Sequence, residues 1–193
     1  SYRSIEAIKR WKIQGWVENI DDIYDAALST GKTVSQTMTG NAEAVCTYKN
    51  EHVAIPEYTN TQGFVYNMSL FEKYGWKVPT TTKELEDLCK QILKDTNKTV
   101  APIVYCGAAA DGYLYYGEEN WNYQYSGIAD LDNFYSFSDA EVFNPAKSQG
   151  KLLGLEALKK FFFDNVGTYT MAGSEGKDHI EAQTNLILGE AAM

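Results

Sequence analysis

Apolar residues recur at intervals of three and four positions in several stretches of the chain, which places them on one face of an α-helix. The clearest stretch begins at Thr81 and Glu84, which form a capping-box pattern, and continues through Leu85, Leu88 and Ile92. The same spacing predicts four further helices, over residues 4–14, 20–28, 152–162 and 180–188. A shorter helix over residues 70–74 is expected to be capped by Ser69 and to end at Gly75.

Short apolar runs between polar or glycine-containing segments predict strands. Residues 44–48 and 52–55 flank Lys49-Asn50-Glu51, and this order is typical of a hairpin or of two short strands. Residues 101–106 predict a buried strand. The small residues 107–112 follow its carboxyl end, which is the end that borders the ligand crevice in open α/β sheets. Residues 189–193 resemble the start of another strand, so we expect the chain to be a fragment of a longer protein.

Composition excludes several classes of protein. The chain has 193 residues, 17 basic against 26 acidic, and a net charge of -9, whereas nucleic-acid binding needs a basic face. No apolar run approaches the roughly 18 to 20 residues of a membrane span. Cys46, Cys89 and Cys106 are odd in number and have no metal-site spacing, so they predict small buried side chains rather than disulfides.

Motifs for catalysis or metal binding are lacking in the sequence. Neither His52 nor His179 has a second ligand type at metal spacing, so no metal site and no cofactor are predicted. The acidic pairs Glu118-Glu119 and Asp21-Asp22 could include the two carboxylates of a glycosidase, but a solvated surface is the favoured interpretation. No catalytic residue is therefore assigned.

Aromatic residues are more numerous than a core of this size needs, since Tyr, Phe and Trp total 13% of the chain. They are concentrated between Tyr113 and Tyr125, where Trp121 stands between Asn120 and Asn122. An aromatic face packs on the C–H groups of a pyranose ring while amide side chains bond its hydroxyls. Any single aromatic here could equally fill a core beneath a helix, but the cluster as a whole is predicted to face a ligand.

Four stretches together resemble one family. They are Tyr48–Pro56, Gly63–Gly75, Val78–Leu85 and Leu188–Met193, and their order and spacing are similar to the maltose-binding-like solute-binding proteins of carbohydrate ABC importers. Thr82 stands where that family has a tryptophan. Most of the family's first lobe and a later tryptophan-containing stretch lie outside the sequence, so we expect it to carry about half of a ligand cleft.

The resemblance implies an incomplete α/β fold of the periplasmic-binding-protein type II, helix-rich and mostly the second lobe. Residues 1–59 would be a remnant of the first lobe with the crossover, and residues 60–193 most of the second lobe. It places the ligand-binding residues in two groups. In the crossover these are Glu57, Tyr58 and Asn60, and in the second lobe they are Tyr113, Tyr116, Asn120 and Trp121, with Trp121 stacking on the sugar.

The same resemblance implies the function of a monomeric, extracellular or periplasmic receptor, tethered to the membrane as a lipoprotein in its full-length form. It would bind a sugar or oligosaccharide between its lobes and deliver it to permease subunits, without covalent chemistry. Two alternatives stay open. One is a carbohydrate-active enzyme or its binding module, and the other is a binding protein for a non-sugar solute such as a peptide.

Overall fold

The computed structural model describes residues 5–40, 42–57, 62–129, 141, 144 and 146–193, without the side chains of residues 5, 6 and 109–113. The chain divides into two compact units, residues 1–61 and 62–193. The predicted boundary lies two residues earlier, and the assignment of the units to two lobes of a binding protein stays a prediction. No helix within the described residues is long and apolar enough to cross a membrane.

The first unit contains short elements. They are helix α1 (Ile5–Ile13), α2 (Asp21–Tyr24), a 3-10 turn (Ser35–Thr37), α3 (Ala42–Val45), β1 (Thr47–Tyr48) and β2 (Glu51–His52).

The second unit is mainly helical. Its elements are α4 (Met68–Tyr74), α5 (Thr82–Asp95), a 3-10 turn (Gly107–Ala109), α6 (Ala110–Ser126), α7 (Gly150–Leu158), a π-helical turn (Lys159–Phe163), a 3-10 turn (Ser174–Gly176) and α8 (His179–Leu188).

The predicted hairpin is present, but it is shorter than expected. β1 and β2 pair antiparallel, and Lys49 and Asn50 form the turn with φ angles of 50° and 65°. Ala44 and Val45, which were predicted to be extended, belong to helix α3. The prediction of a helix over residues 20–28 is wrong beyond Tyr24, because the chain turns back at Gly31 and Ala27 pairs with Thr33.

His52 joins three elements of the first unit. Its Nδ1 lies 2.7 Å from Asp21 Oδ1 on α2, and its Nε2 lies 3.0 Å from Glu43 Oε1 on α3. The ring stacks on Tyr24 with centroids 3.8 Å apart, and Tyr24 donates a hydrogen bond to the carbonyl of Ala54 at 2.8 Å. Burial raises the pKa of Tyr24 to about 12. The predicted strand-end histidine is therefore an organising residue of this unit.

Helix α4 ends as predicted and begins earlier than predicted. Its N-cap is Asn67, whose side chain accepts a hydrogen bond from the Leu70 N–H at 3.1 Å, so the assignment of the cap to Ser69 is wrong. The amide of Asn67 also donates to the carbonyl of Leu186 at 2.8 Å, which only the folded chain brings near. Gly75 ends the helix with φ 69°, the left-handed conformation that glycine adopts at little cost.

Helix α5 forms with the predicted cap and only half of the predicted capping box. Thr81 Oγ1 accepts from the Glu84 N–H at 3.1 Å, whereas the Glu84 carboxylate accepts from the N–H of Thr80 at 2.7 Å. The predicted apolar face is buried, with Leu88 5% and Ile92 0% exposed.

Three extended segments run side by side in the second unit. Residues 101–104 lie between residues 190–193 and 169–171, with parallel bridges from Ala101 to Ala191 and from Ile103 to Thr170. The predicted strand positions are therefore paired, although no regular strand forms in this part of the described chain. Pro102 lacks an N–H and cannot donate to a ladder, which accounts for pairing by isolated bridges.

Helices α6 and α7 pack against each other through glycine. A Cβ atom on Gly150 would overlap Asn122 and Ser126, and one on Gly154 would lie 3.0 Å from the carbonyl oxygen of Glu118. Glycine lets the two backbones approach this closely. The core of the second unit follows from this contact and includes Trp121 of α6, Ala157 of α7 and Phe161 of the π turn.

Gly150→Ala is expected to lower the free energy of unfolding by about 1–3 kcal/mol, because the added methyl group has no space between α6 and α7. Urea unfolding followed by circular dichroism measures the change. Gly117→Ala on α6 is the matched control, since nothing lies within 4 Å of the added atom. That substitution should be stabilising by about 0.5–1 kcal/mol. Equal effects of the two substitutions would contradict the packing described.

Glu86 ties α5 to the π turn. Its carboxylate accepts from Lys160 Nζ at 2.5 Å and from Lys90 Nζ at 2.7 Å. These two ammonium groups lower the pKa of Glu86 from its ordinary 4.5 to about 2. A group with a lowered pKa in the folded state stabilises that state above its unfolded pKa and loses this effect in acid.

Glu86→Gln is therefore expected to lower the melting temperature at pH 7 and to have a progressively smaller effect as pH falls from about 4.5 toward 2. Thermal unfolding of both proteins across this pH range tests the prediction. Glu156→Gln, an exposed carboxylate on α7, should leave the melting temperature unchanged at every pH. A Glu86→Gln effect that stays constant down to pH 2 would rule out the ion pairs as its cause.

Candidate functional site

The carboxyl end of the extended segment 101–104 leads into α6. After Val104 the chain passes through Tyr105 to Gly107, where an added Cβ would overlap the backbone of Ser174 and Glu175. The Ala108 N–H donates to the carbonyl of Lys177 at 3.0 Å. This bond fixes the loop around Ser174–Gly176 against the 3-10 turn that precedes α6. This edge is where ligands bind in open α/β folds.

Helix α6 carries most of the aromatic segment that the sequence singled out. Its outward side chains include Tyr115, Tyr116, Tyr123 and Tyr125, each between 38% and 44% exposed. Asn120 is partly buried, and its side-chain amide donates to the carbonyl of Tyr116 at 3.0 Å. Among the predicted ligand-binding residues, Tyr116 and Asn120 thus lie together on one accessible helix face.

Trp121, on the same helix, points into the core. It is 6% exposed and stacks on Phe161 with ring centroids 5.8 Å apart and an interplanar angle of 17°. One face of the indole is therefore covered by protein. The structure gives Trp121 a place in the core, and direct stacking of its ring on a sugar stays a prediction.

An exposed aromatic ring lies beside Trp121. Phe64 is 45% exposed, and its ring centroid lies 6.3 Å from that of Trp121 and 6.3 Å from that of Phe162. Tyr105 meets Phe162 edge-on at 5.2 Å. We call Phe64, Tyr105, Trp121 and Phe162 the aromatic cluster. Tyr105 follows the segment 101–104, so the cluster lies near its carboxyl end.

The sequence reasoning missed Phe64 and Tyr105 as candidate functional residues. Tyr105 could have been found, because it belongs to the predicted strand and precedes the turn that the sequence placed at the ligand crevice. Phe64 follows a polar segment and opens an apolar run, and that pattern does not distinguish an exposed ring from a buried one. Burial raises the pKa of Tyr105, and the Glu175 carboxylate adds to this increase.

One carboxylate of each pair considered for glycosidase chemistry is engaged by another side chain. Glu118 is 2% exposed and its Oε2 lies 2.5 Å from Lys151 Nζ, while Asp21 binds His52. The backbone N–H of His52 is the largest cause lowering the pKa of Asp21. Across the described residues, no three His, Cys, Asp or Glu side chains are arranged to hold a metal ion.

The described structure does not test the remaining predicted residues. Glu57 is exposed in the first unit. Tyr58, Asn60 and the side chain of Tyr113 lie outside the described residues. Their roles in ligand binding stay predictions.

Comparison with known proteins identifies a family. The family described as bacterial extracellular solute-binding protein matches residues 5–193 of the chain. The diacetylchitobiose binding protein NgcE of Streptomyces coelicolor is 30% identical over 78 residues, which are 40% of this chain and 17% of that protein.

A solved structure is also similar. It is the bacterial solute receptor AcbH, described as having an exclusive substrate preference for β-D-galactopyranose. The likeness covers 97% of this chain and 43% of AcbH, with a TM-score of 0.68 and 19% identity. This confirms the predicted incomplete α/β fold of a solute receptor. The chain spans less than half of the length of each of these relatives.

Trp121→Ala is expected to reduce the free energy of unfolding by about 3–5 kcal/mol, since it removes a large ring from the core. Tyr123→Ala, on the exposed side of the same helix, should change it by much less. Urea denaturation of both variants makes the comparison. Equal stability losses would contradict the inward orientation of Trp121.

Proposed function

Because this chain belongs to the family of bacterial extracellular solute-binding proteins, we propose that it is part of the sugar-binding component of an ABC importer. The observation that carries the proposal is the half-exposed Phe64 ring, supported from behind by Trp121 and Phe162. A rigidly supported aromatic face is what a pyranose ring packs against.

The surface of α6 supplies the second requirement for sugar recognition. Tyr116 and Asn120 are accessible, and their phenol and amide groups are suited to bonding ring hydroxyls. We propose that these two residues contact the ligand. Tyr113 on the same helix is proposed to join them.

Trp121 is proposed to act mainly through Phe64. Its indole already stacks on Phe161, so a sugar could use the same ring only if the core opened. Holding Phe64 in one orientation reduces the conformational entropy that binding would otherwise cost. The predicted stacking residue thereby becomes a residue that positions the stacking ring.

Residues of the crossover are also proposed to contact the ligand. Glu57, Tyr58 and Asn60 of the crossover would bond the sugar when the lobes of the full protein close around it. Closure would then present the loaded receptor to the permease subunits. No covalent step is involved, and the receptor acts as a monomer outside the cell membrane, tethered as a lipoprotein.

The names of the two relatives supply the first ligands to test. Thermal unfolding of the protein is measured with β-D-galactopyranose, N,N′-diacetylchitobiose, maltose and a tripeptide, and each mixture is then assayed for hydrolysis. A ligand at a hundred times its dissociation constant should add about 2.7 kcal/mol of stability. Stabilisation by one sugar that is recovered intact would support the proposal. Stabilisation by the peptide alone, or a consumed sugar, would refute it.

Phe64→Ala is expected to weaken binding of the stabilising sugar roughly tenfold, because its aromatic face is lost. Its melting temperature without sugar should change little, since the ring is half exposed. Phe163→Ala is the matched control, because this ring is 54% exposed and belongs to the π turn, outside the aromatic cluster. Unchanged affinity in Phe64→Ala, measured by calorimetry, would exclude Phe64 as the stacking residue.

A further inference from the structure

The second unit contains a cavity that the proposed sugar site does not use. Its volume is about 460 Å³, within the range of small-molecule sites. It lies between the loop after α5, the segment around Thr170, and Glu190. Lys98, Thr99 and Thr168 are exposed members of its lining, so solvent and solutes can enter.

This cavity is distinct from the ligand crevice of the fold. Lys98 and Thr99 precede the extended segment 101–104, Thr168 precedes the segment 169–171, and Glu190 precedes Ala191. The cavity therefore lies at the amino ends of the segments 101–104 and 190–193 and along the segment 169–171, whereas the aromatic cluster lies beyond the carboxyl end of the segment 101–104. A ligand here would not compete with one at Phe64.

Two polar groups of the lining lack partners. Thr170 is 1% exposed, and its hydroxyl has no hydrogen-bond partner among the described residues. A buried hydroxyl left without a partner costs free energy, and a bound acceptor would recover it. The Lys98 ammonium makes no ion pair with the described residues. The Glu190 carboxylate accepts from the Asn185 amide at 2.5 Å, but a neutral donor does not cancel its charge, so an anionic group would have to lie beside Lys98 rather than Glu190.

The position of Lys98 is set by the backbone. Asn97 and Lys98 both adopt positive φ angles, 48° and 62°, and their N–H groups bond the carbonyls of Lys94 and Leu93. The turn is thus fixed by the end of α5. The side chain of Lys98 therefore starts from a fixed point of the cavity lining.

The lining also has an apolar part, which includes Leu93, Val100 and Met171. A free cation and a free hydroxyl next to apolar side chains complement an anionic group attached to a hydrocarbon body. We propose that this cavity is a second binding site, for a small organic carboxylate. The carboxylate would pair with Lys98 and accept from Thr170, and its hydrocarbon part would lie on Val100 and Met171.

The test is titration of the isotope-labelled protein with 4-methylpentanoate, followed by amide chemical shifts. Saturable shifts are expected at Thr99, Val100 and residues 168–172. The neutral analogue 4-methylpentan-1-ol should bind roughly fivefold or more weakly, because it cannot pair with Lys98. No saturable shift, or equal affinity for the alcohol, would overturn the proposal. Shifts of these amides by inorganic phosphate but not by the carboxylate would overturn it as well.

Two substitutions test whether Lys98 and Thr170 contact the ligand. Lys98→Met should weaken binding of 4-methylpentanoate roughly fivefold or more. Lys94→Met is the control, because Lys94 is an exposed residue of α5 four positions earlier, and it should leave binding unchanged. Thr170→Val should keep or raise the melting temperature of the protein and still weaken binding of the carboxylate ligand. Unchanged affinity in either Lys98→Met or Thr170→Val would overturn the proposed contacts. Since the sugar titration reports on Phe64 separately, each proposal can fail without the other.

Discussion

The close contact between α6 and α7 is the constraint on which the second unit depends. Gly150 and Gly154 leave no room for a side chain between the helices, so polar residues of α6 such as Asn122 lie against the backbone of α7. This contact fixes the rotation of α6 about its axis. The rotation turns Trp121 into the core and leaves tyrosines of the same helix in solvent.

The orientation of α6 also determines what the ligand edge presents. With Trp121 packed on Phe161, the accessible ring at this edge is Phe64, which rests on Trp121 and Phe162. A supported ring and a helix face of phenol and amide groups have the composition of a sugar-binding surface. The family and the fold are consistent with such a surface.

Local sequence signals predicted local structure well. Helix α5, its Thr81 cap and the Gly75 helix end follow from interactions between near neighbours in the chain. The predictions were wrong where distant contacts decide. The Asn67 amide reaches the carbonyl of Leu186, and Glu84 bonds Thr80 rather than completing the box. The sequence of α6 shows no clear helical period of apolar residues. The reason is that its inward side carries polar residues such as Asn122, which lie against the glycines of α7.

The sequence by itself determined the family, the helix-rich α/β character and the concentration of aromatic residues, because these depend on composition and on spacing along the chain. Only the tertiary structure decided which aromatic ring is accessible. Trp121 and Tyr123 are two residues apart on one helix, and their burial depends on the side against which α7 packs. Spacing places side chains on a helix, but the partner surface determines which of them meet solvent.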